Sequence, residues 1–325
     1  MGTRRAVRSG GRVPAQLSRR GFLAGTAATA AAAALAACGR TSPVSSPGAS
    51  PAAGASGRGS LRIGAIPDQD PEVLQRLYGT VADSMSAALD LDVSYSPVTD
   101  YGAAVSLFRT GDLDLVWFGG LTGVQARLQT PGAQPVAQRD IDQDFHSVFV
   151  VNTATGLAPA DDLGPLATLR FTYGSETSTS GRLMPAFFLS EQGVDPQGFP
   201  GGPGFSGSHD ATISLVSSGS YQAGVLNEQV WNSRTADGTV DASAVVQYAR
   251  TPAYHDYHWL LGPPAVQRLG ADLPGRLLDY FTGLSADDPD GATVLDLFGA
   301  GSFIPTEASN YTQIEQVGRE LGLIS

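Results

Sequence analysis

The chain has 325 residues, enough for two domains, and carries 31 acidic against 20 basic residues, a formal net charge of −11. That balance argues against a general polyanion binder such as a nucleic-acid protein, whose affinity rests on Lys and Arg set against phosphates. A single cysteine rules out an internal disulfide.

The first residues read as an address rather than as fold. Arg4, Arg5, Arg8, Arg12, Arg19 and Arg20 form a basic region without an acid, and the Ala-rich run from Gly21 to Ala37 follows. Its length suits a signal h-region, and it is too weakly apolar for a good membrane span. Ser18-Arg19-Arg20-Gly21-Phe22-Leu23 resembles a twin-arginine export signal, and Leu35-Ala36-Ala37-Cys38 resembles a bacterial lipobox. The lipobox pattern implies cleavage before Cys38 and lipidation of its thiol. Residues 1–37 are thus expected to be a signal peptide, and residues 38–60, rich in Gly, Ser, Ala and Pro, a flexible tether. Six of the 20 basic residues precede Cys38 and no acid does, which leaves 14 against 31 and a mature net charge of about −17.

Beyond the tether, alternation and β-branched residues predict a strand at 61–67, ended by Pro67. Leu74, Leu77, Val81, Met85 and Leu89 recur every three or four residues and predict a helix over 70–89. A strand at 91–97, a helix at 101–109 capped by Asp100, a strand at 113–118 and a helix at 121–128 follow. This β-α-β-α-β-α order yields a parallel sheet with helices on its faces. Strands are predicted at 134–139 and 145–151, then a helical turn near Leu163 and Leu166, and a strand at 169–173. A helix ends at Gly193, and the Gly- and Pro-rich stretch 194–208 is a loop. A helix at 210–218, a strand at 222–226, a helix start at 227–233 and a strand at 244–249 complete a second α/β unit. An extended run, 251–261, leads to helices at 264–269, 272–284 and 287–297, and a last one at 314–323. The expected organisation is one lobe from 61–149 plus 251–325, a second from 150–250, and a hinge of two crossings. In open α/β sheets ligands sit at the carboxyl ends of strands, so the site belongs in the cleft.

Between the strand at 169–173 and its helix lies Gly174-Ser175-Glu176-Thr177-Ser178-Thr179-Ser180-Gly181. A helix start leaves backbone N–H groups unpaired and is partially positive. Hydroxyls there serve as a plain cap or as an oxyanion cradle. The lipoprotein address, the two lobes, and Tyr101 and Asp256 arriving from other segments favour the cradle. Pro185 forbids one helical hydrogen bond and predicts a kink or a short first turn.

Ser178-Thr179-Ser180-Gly181 with Pro185, Pro97-Val98-Thr99-Asp100-Tyr101, Trp117-Phe118-Gly119-Gly120 and Tyr254-His255-Asp256-Tyr257-His258-Trp259 resemble the substrate-binding proteins of phosphate/phosphite/phosphonate-type ABC transporters, over about residues 61–320. Ile66-Pro67-Asp68, Gly119-Gly120-Leu121-Thr122 and Gln125-Ala126-Arg127 are most similar to a branch of that family labelled selenate binders. The resemblance implies a two-lobed type II periplasmic-binding-protein fold, α/β in class, that closes on its ligand. It implies an extracytoplasmic, lipid-anchored, monomeric protein working with an ABC permease and ATPase, without cofactor.

Carried over by position, Ser178, Thr179 and Ser180 match the oxyanion cradle. Tyr101 matches a tyrosine reaching the ligand from the first lobe, and His209 a cleft-facing histidine of the second. Asp256 matches a carboxylate that accepts from a protonated ligand oxygen, and Asn227 a cleft-lining polar residue. Gly123 departs from the pattern, which often has an aromatic there. The resemblance then implies a wider or differently lined pocket, with Thr122 substituting a hydroxyl.

Each of these residues also has a plainer reading. Asp256 can be a hinge residue bonded to backbone, His209 a capping histidine, and Arg139 or Arg182 a solvated cation or a charge facing the cleft. If Asp256 lines the site, a carboxylate beside an anion requires a proton between them. Phosphate, phosphite and monoprotonated phosphonates bring one near neutral pH, whereas selenate and sulfate do not, so a phosphorus oxyanion is preferred to selenate. His255 and His258 point apart on an extended run and do not form a metal site. Ser180, His209 and Asp256 are the residue types of a hydrolase triad, but no G-x-S-x-G elbow is present and no enzyme is expected. Transport and ligand sensing would share one pocket, and the sequence does not separate them.

Overall fold

A computed structural model describes residues 59–324. The signal peptide, Cys38 and all but the last two residues of the tether lie outside the described residues. The elements are β1 (Ser60–Ala65), α1 (Pro71–Leu89), β2 (Asp92–Tyr95), α2 (Tyr101–Thr110), β3 (Leu115–Phe118), α3 (Gly120–Gln129), β4 (Gln134–Arg139), β5 (Ser147–Asn152), β6 (Phe171–Tyr173), α4 (Met184–Glu191) and β7 (Gly204–Phe205). They continue with α5 (His209–Ser217), β8 (Ala223–Asn227), α6 (Glu228–Ala236), β9 (Val245–Arg250), β10 (His258–Leu261), α7 (Pro263–Leu269), α8 (Leu273–Gly283), α9 (Pro289–Phe298), β11 (Phe303–Pro305) and α10 (Thr312–Glu320). No described helix is long and apolar enough to cross a membrane.

The first sheet has the order β11-β4-β10-β3-β1-β2 and the second β7-β6-β8-β5-β9. In the first, β1 lies parallel between β2 and β3, and β10 returns antiparallel between β3 and β4. All five apolar positions that predicted α1 are buried. Asp70 caps that helix by accepting from the Glu72 N–H at 2.8 Å. The tail helices return to the first core, where Leu277, Phe281, Val294 and Phe298 join Tyr78, Trp117 and Trp259. The continuous apolar run of β5 is explained by burial on both faces. Phe149 and Val151 enter one core of the second lobe, and Val148 and Val150 the other.

The chain leaves the first lobe through a short 3₁₀ turn, Asp140–Asp144, and returns after β9. The expected boundary at 149/150 falls inside β5, whose residues pair entirely within the second sheet, so the change of lobe precedes Ser147. The two crossings run side by side. Phe145 and Tyr254 exchange backbone hydrogen bonds of 2.9 and 3.0 Å, and Asp256 N–H donates to the Asp142 carbonyl at 3.0 Å. This ladder places Asp256 and Tyr257 at the crossing between the lobes.

Candidate functional site

The cradle is built by a local irregularity. Ser178 caps the helix, its Oγ accepting from the Gly181 N–H at 2.9 Å. The next turn, Thr179–Leu183, is π-helical, with Leu183 N–H reaching the Ser178 carbonyl at 3.0 Å. Pro185 follows this turn at the start of α4. Pro185 has no N–H to offer the Gly181 carbonyl, which instead accepts from Gly174 N–H at 2.8 Å. The Ser180 carbonyl accepts from Ser147 Oγ at 2.7 Å. A Cβ on Gly174 would sit 3.2 Å from the Gly181 Cα, so both glycines allow the loop ends to touch.

Facing it across the cleft is a second helix start. Gly119 caps α3 with no side-chain hydrogen bond. The Gly120 N–H donates to Asp256 Oδ1 and the Leu121 N–H to Thr179 Oγ1, both at 2.9 Å. A Cβ on Gly119 would lie 3.1 Å from Thr179 Oγ1 and 3.2 Å from Asp256 Oδ1, so the backbone approaches closely here. Tyr101 opens α2, placed by the Asp100 cap.

Ser178, Thr179, Ser180, Tyr101, His209, Asn227 and Asp256 are all buried, none more than 3% exposed. Three of them keep a polar atom without a partner: Tyr101 Oη, Ser180 Oγ and Asp256 Oδ2. Buried polar atoms are nearly always satisfied, so these three have capacity left for a polar partner. Burial pushes the Tyr101 hydroxyl well above its ordinary pKa, and the nearby Asp68 and Asp256 add to the rise. Ser178 is close enough to ease it, although no bond at hydrogen-bond geometry joins them. Burial likewise raises Asp256 to about 7; Gly120 N–H opposes that and Asp142 reinforces it.

His209 and Asn227 are engaged elsewhere. Tyr257 Oη donates to Asp68 Oδ2 at 2.8 Å. Its lone pairs receive Asn227 Nδ2 at 3.1 Å and His209 Nε2 at 3.3 Å. His209 Nδ1 accepts from Asn227 N–H at 3.4 Å, which fixes the proton on Nε2. Burial lowers His209 to about 4, so the ring is neutral. Asn227 Oδ1 caps α6 through Val230 N–H. Asp68 and Tyr257 are the members that sequence reasoning missed. The available signals were the Ile66-Pro67-Asp68 motif and the position of Tyr257 beside Asp256.

Other expectations meet a different arrangement. Gly123 does not widen the pocket: a Cβ there would lie 2.3 Å from His258 Cε1, so the imidazole already fills that space. The His258 ring lies against Tyr311, tilted by 40° with centroids 4.1 Å apart, and burial lowers its pKa to about 3. Thr122 Oγ1 donates back to the Gly119 carbonyl at 3.1 Å. Arg139 is buried rather than solvated, and its charge is already engaged. It pairs bidentately with Asp142 at 2.7 and 2.8 Å, and its remaining nitrogen donates to the Phe298 carbonyl. Arg182 lies over the Tyr173 ring at 4.3 Å, with Phe205 beyond. No hydrogen bond joins Ser180 to His209, so a triad geometry is not formed among the described residues.

The family described as ABC transporter, phosphonate, periplasmic substrate-binding protein matches residues 63–311. The chain belongs to this family. It is 47% identical over 268 residues to the probable ABC transporter phosphite binding protein PhnD1 of Prochlorococcus marinus (strain MIT 9301), covering 81% of this chain and 90% of the relative. The structure of PhnD1 in complex with methylphosphonate matches with a TM-score of 0.80 over 82% of this chain and 99% of that one, at 47% sequence identity. The phosphonates-binding periplasmic protein of Escherichia coli (strain K12) is 28% identical over 144 residues, 43% of this chain and 42% of the relative. A binding-protein component of an ABC phosphonate transporter from Pseudomonas aeruginosa shares the fold at a TM-score of 0.70 and 18% identity, over 80% of this chain and 85% of that one. The two-lobed type II binding-protein fold therefore holds. The chain is an extracytoplasmic substrate-binding component of an ABC importer, not an enzyme.

Proposed function

We propose that the protein captures a small phosphorus oxyanion, a phosphonate, phosphite or phosphate, between its lobes and delivers it to a permease and ATPase. Cys38, once lipidated, tethers it to the membrane. The observation that carries the ligand reading is that Tyr101 Oη, Ser180 Oγ and Asp256 Oδ2, on three of the positions matched to the family's site, are all buried and unpartnered. Two hydroxyl donors and a carboxyl suit an oxyanion that shares one proton with its host. Ser178 Oγ and Thr179 Oγ1 hold the cradle and the facing helix in place.

Isothermal titration with methylphosphonate, phosphite, phosphate, aminoethylphosphonate, selenate and sulfate tests the assignment. Tight binding of phosphorus oxyanions with weak selenate and sulfate is the expected result. Tight selenate binding without phosphorus ligands overturns it. For the anchor, Cys38→Ser should move the protein from the membrane fraction to the soluble one, and retention at the membrane refutes lipidation.

A further inference from the structure

The buried polar residues of the cleft divide into two groups by what their atoms already do. Tyr101, Ser180 and Asp256 keep unused capacity, as an oxyanion site requires. Asp68, Tyr257, Asn227 and His209 spend theirs on one another. The second group also straddles the lobes. Asp68 follows β1, and Tyr257 precedes β10, both in the first lobe, whereas Asn227 ends β8 and His209 begins α5 in the second.

The contacts continue outward along one edge. His209 N–H donates to the Asp68 carbonyl at 2.9 Å. At the rim, Asp70 N–H donates to Asp210 Oδ2 at 2.8 Å. Arg234 holds Asp210 at 2.7 Å and reaches Gln69 Oε1 at 3.5 Å. Thus Asp68 to Asp70, the three residues before α1, dock on the start of α5 and on Arg234 of α6. An apolar seam supports it elsewhere: Leu183 and Met184, from the second lobe, are buried within the first lobe's core.

We propose that this edge is an interlobe clasp, in which Asp68 acts through Tyr257 as a positioning residue that holds the lobes closed and sets how long a ligand stays. The clasp makes direct protein contacts and does not pass through the oxyanion donors. It rests on the binding reading only for the dwell time; the contacts between the lobes are direct and are argued without a ligand. Tyr257 is its centre because its one proton goes to Asp68, which leaves both lone pairs for the other lobe. Losing one such buried centre leaves two donors and a carboxylate unpaired.

The test uses the intact chain with Cys38→Ser, spin labels on Ala87→Cys in α1 and Ser218→Cys after α5, both exposed positions, and the variants Tyr257→Phe, Asp68→Ala and Asp68→Asn. Without ligand, Tyr257→Phe and Asp68→Ala should broaden and lengthen the interlobe distance distribution. Asp68→Asn, which keeps an acceptor for the tyrosine, should stay close to the parent chain. By stopped-flow fluorescence, methylphosphonate dissociation should speed up by roughly tenfold or more in the first two, with association changed far less. Unchanged distances and dissociation in both variants overturn the clasp. Equal losses in Asp68→Asn and Asp68→Ala overturn the role of the acceptor. If Tyr257→Phe fails to fold, Asp68→Ala carries the decision. If the parent chain binds no phosphorus oxyanion, the distance measurement still decides the clasp, so the two readings fail separately.

Discussion

The pH dependence of affinity can show which partner brings the shared proton. Under the proposed function Asp256 would offer the ligand one oxygen, Oδ2, because Oδ1 is held by Gly120 N–H. Its pKa of about 7 means that the carboxyl is half neutral near pH 7. Phosphorus oxyanions ionise a second time in the same region, about 6 for a phosphoester. The complex holds one proton, since a second would face Asp256 O–H with ligand O–H and leave one without an acceptor. Above about pH 7 both free partners are deprotonated, and binding must take up a proton. Affinity then falls tenfold per pH unit, roughly 1.4 kcal/mol, or about 100-fold between pH 7 and 9. On the acid side both are protonated, binding releases a proton, and affinity falls again. The expected profile for methylphosphonate is a bell. Selenate stays fully ionised and accepts from neutral Asp256, so its profile is flat in acid and falls only above about 7.

Neighbouring groups do not blur this reading. His209, lowered to about 4, stays neutral above pH 5, and Tyr101 and Tyr257 are pushed upward. Asp68, raised to about 6 by burial, belongs to the clasp, so Asp68→Asn serves as the control. Arg139 and Asp142 remain paired. Asp256→Asn should lose about 1.5–3 kcal/mol of methylphosphonate binding at pH 7 and abolish the alkaline limb, because the amide has no proton to take up. Titration calorimetry from pH 5 to 9 in two buffers of different ionisation heat measures affinity and proton count together. A flat wild-type profile, or an Asp256→Asn profile of unchanged shape, refutes the reasoning.

Ser180→Ala should weaken binding by about 1–3 kcal/mol with little effect on melting, as it removes a free donor. Ser178→Ala should also cost about 1 kcal/mol of stability through the lost cap, read as a lower Tm. Gly123→Ala must displace His258 and should destabilise by about 1–3 kcal/mol; an unchanged Tm would show the ring free to move. Between about pH 4 and 7 folded Asp256 keeps a proton that the unfolded chain has lost, so raising the pH through that window removes stability. A rise from 3.8 to about 7 is worth on the order of 4 kcal/mol. Asp256→Asn should therefore gain stability over the parent as pH rises from 4 to 7, in denaturant titrations without ligand; a constant difference refutes the shift.

Periodicity made most of the fold legible, as α1 illustrates. Its apolar stripe and Asp70 cap are local, and the core simply accepts them. Elements that depend on distant partners were harder to read. β11 and the two-residue β7 are strands only because β4 and β6 lie beside them. The helix start at Ser178 was legible because its hydroxyls are contiguous. The clasp was not, since Asp68 and Tyr257 lie 189 positions apart. Gly123 was misread for the same reason: its meaning is held by His258, on a strand that returns much later. Arg139 looked like a free cation because its partner Asp142 sits in a turn that periodicity does not mark.

The loop from Gly174 to Gly181 is closed on itself by one backbone hydrogen bond and by contact between its two glycines. Its length is thereby locked: an inserted or deleted residue would break the closure, whereas exchanged side chains between the ends would not. Recognition in such a frame is free to drift by substitution and resists change by insertion. The hydroxyls of this turn are also ordered by folding itself, so under the proposed function a ligand would meet them already aligned and little conformational entropy would be left to lose.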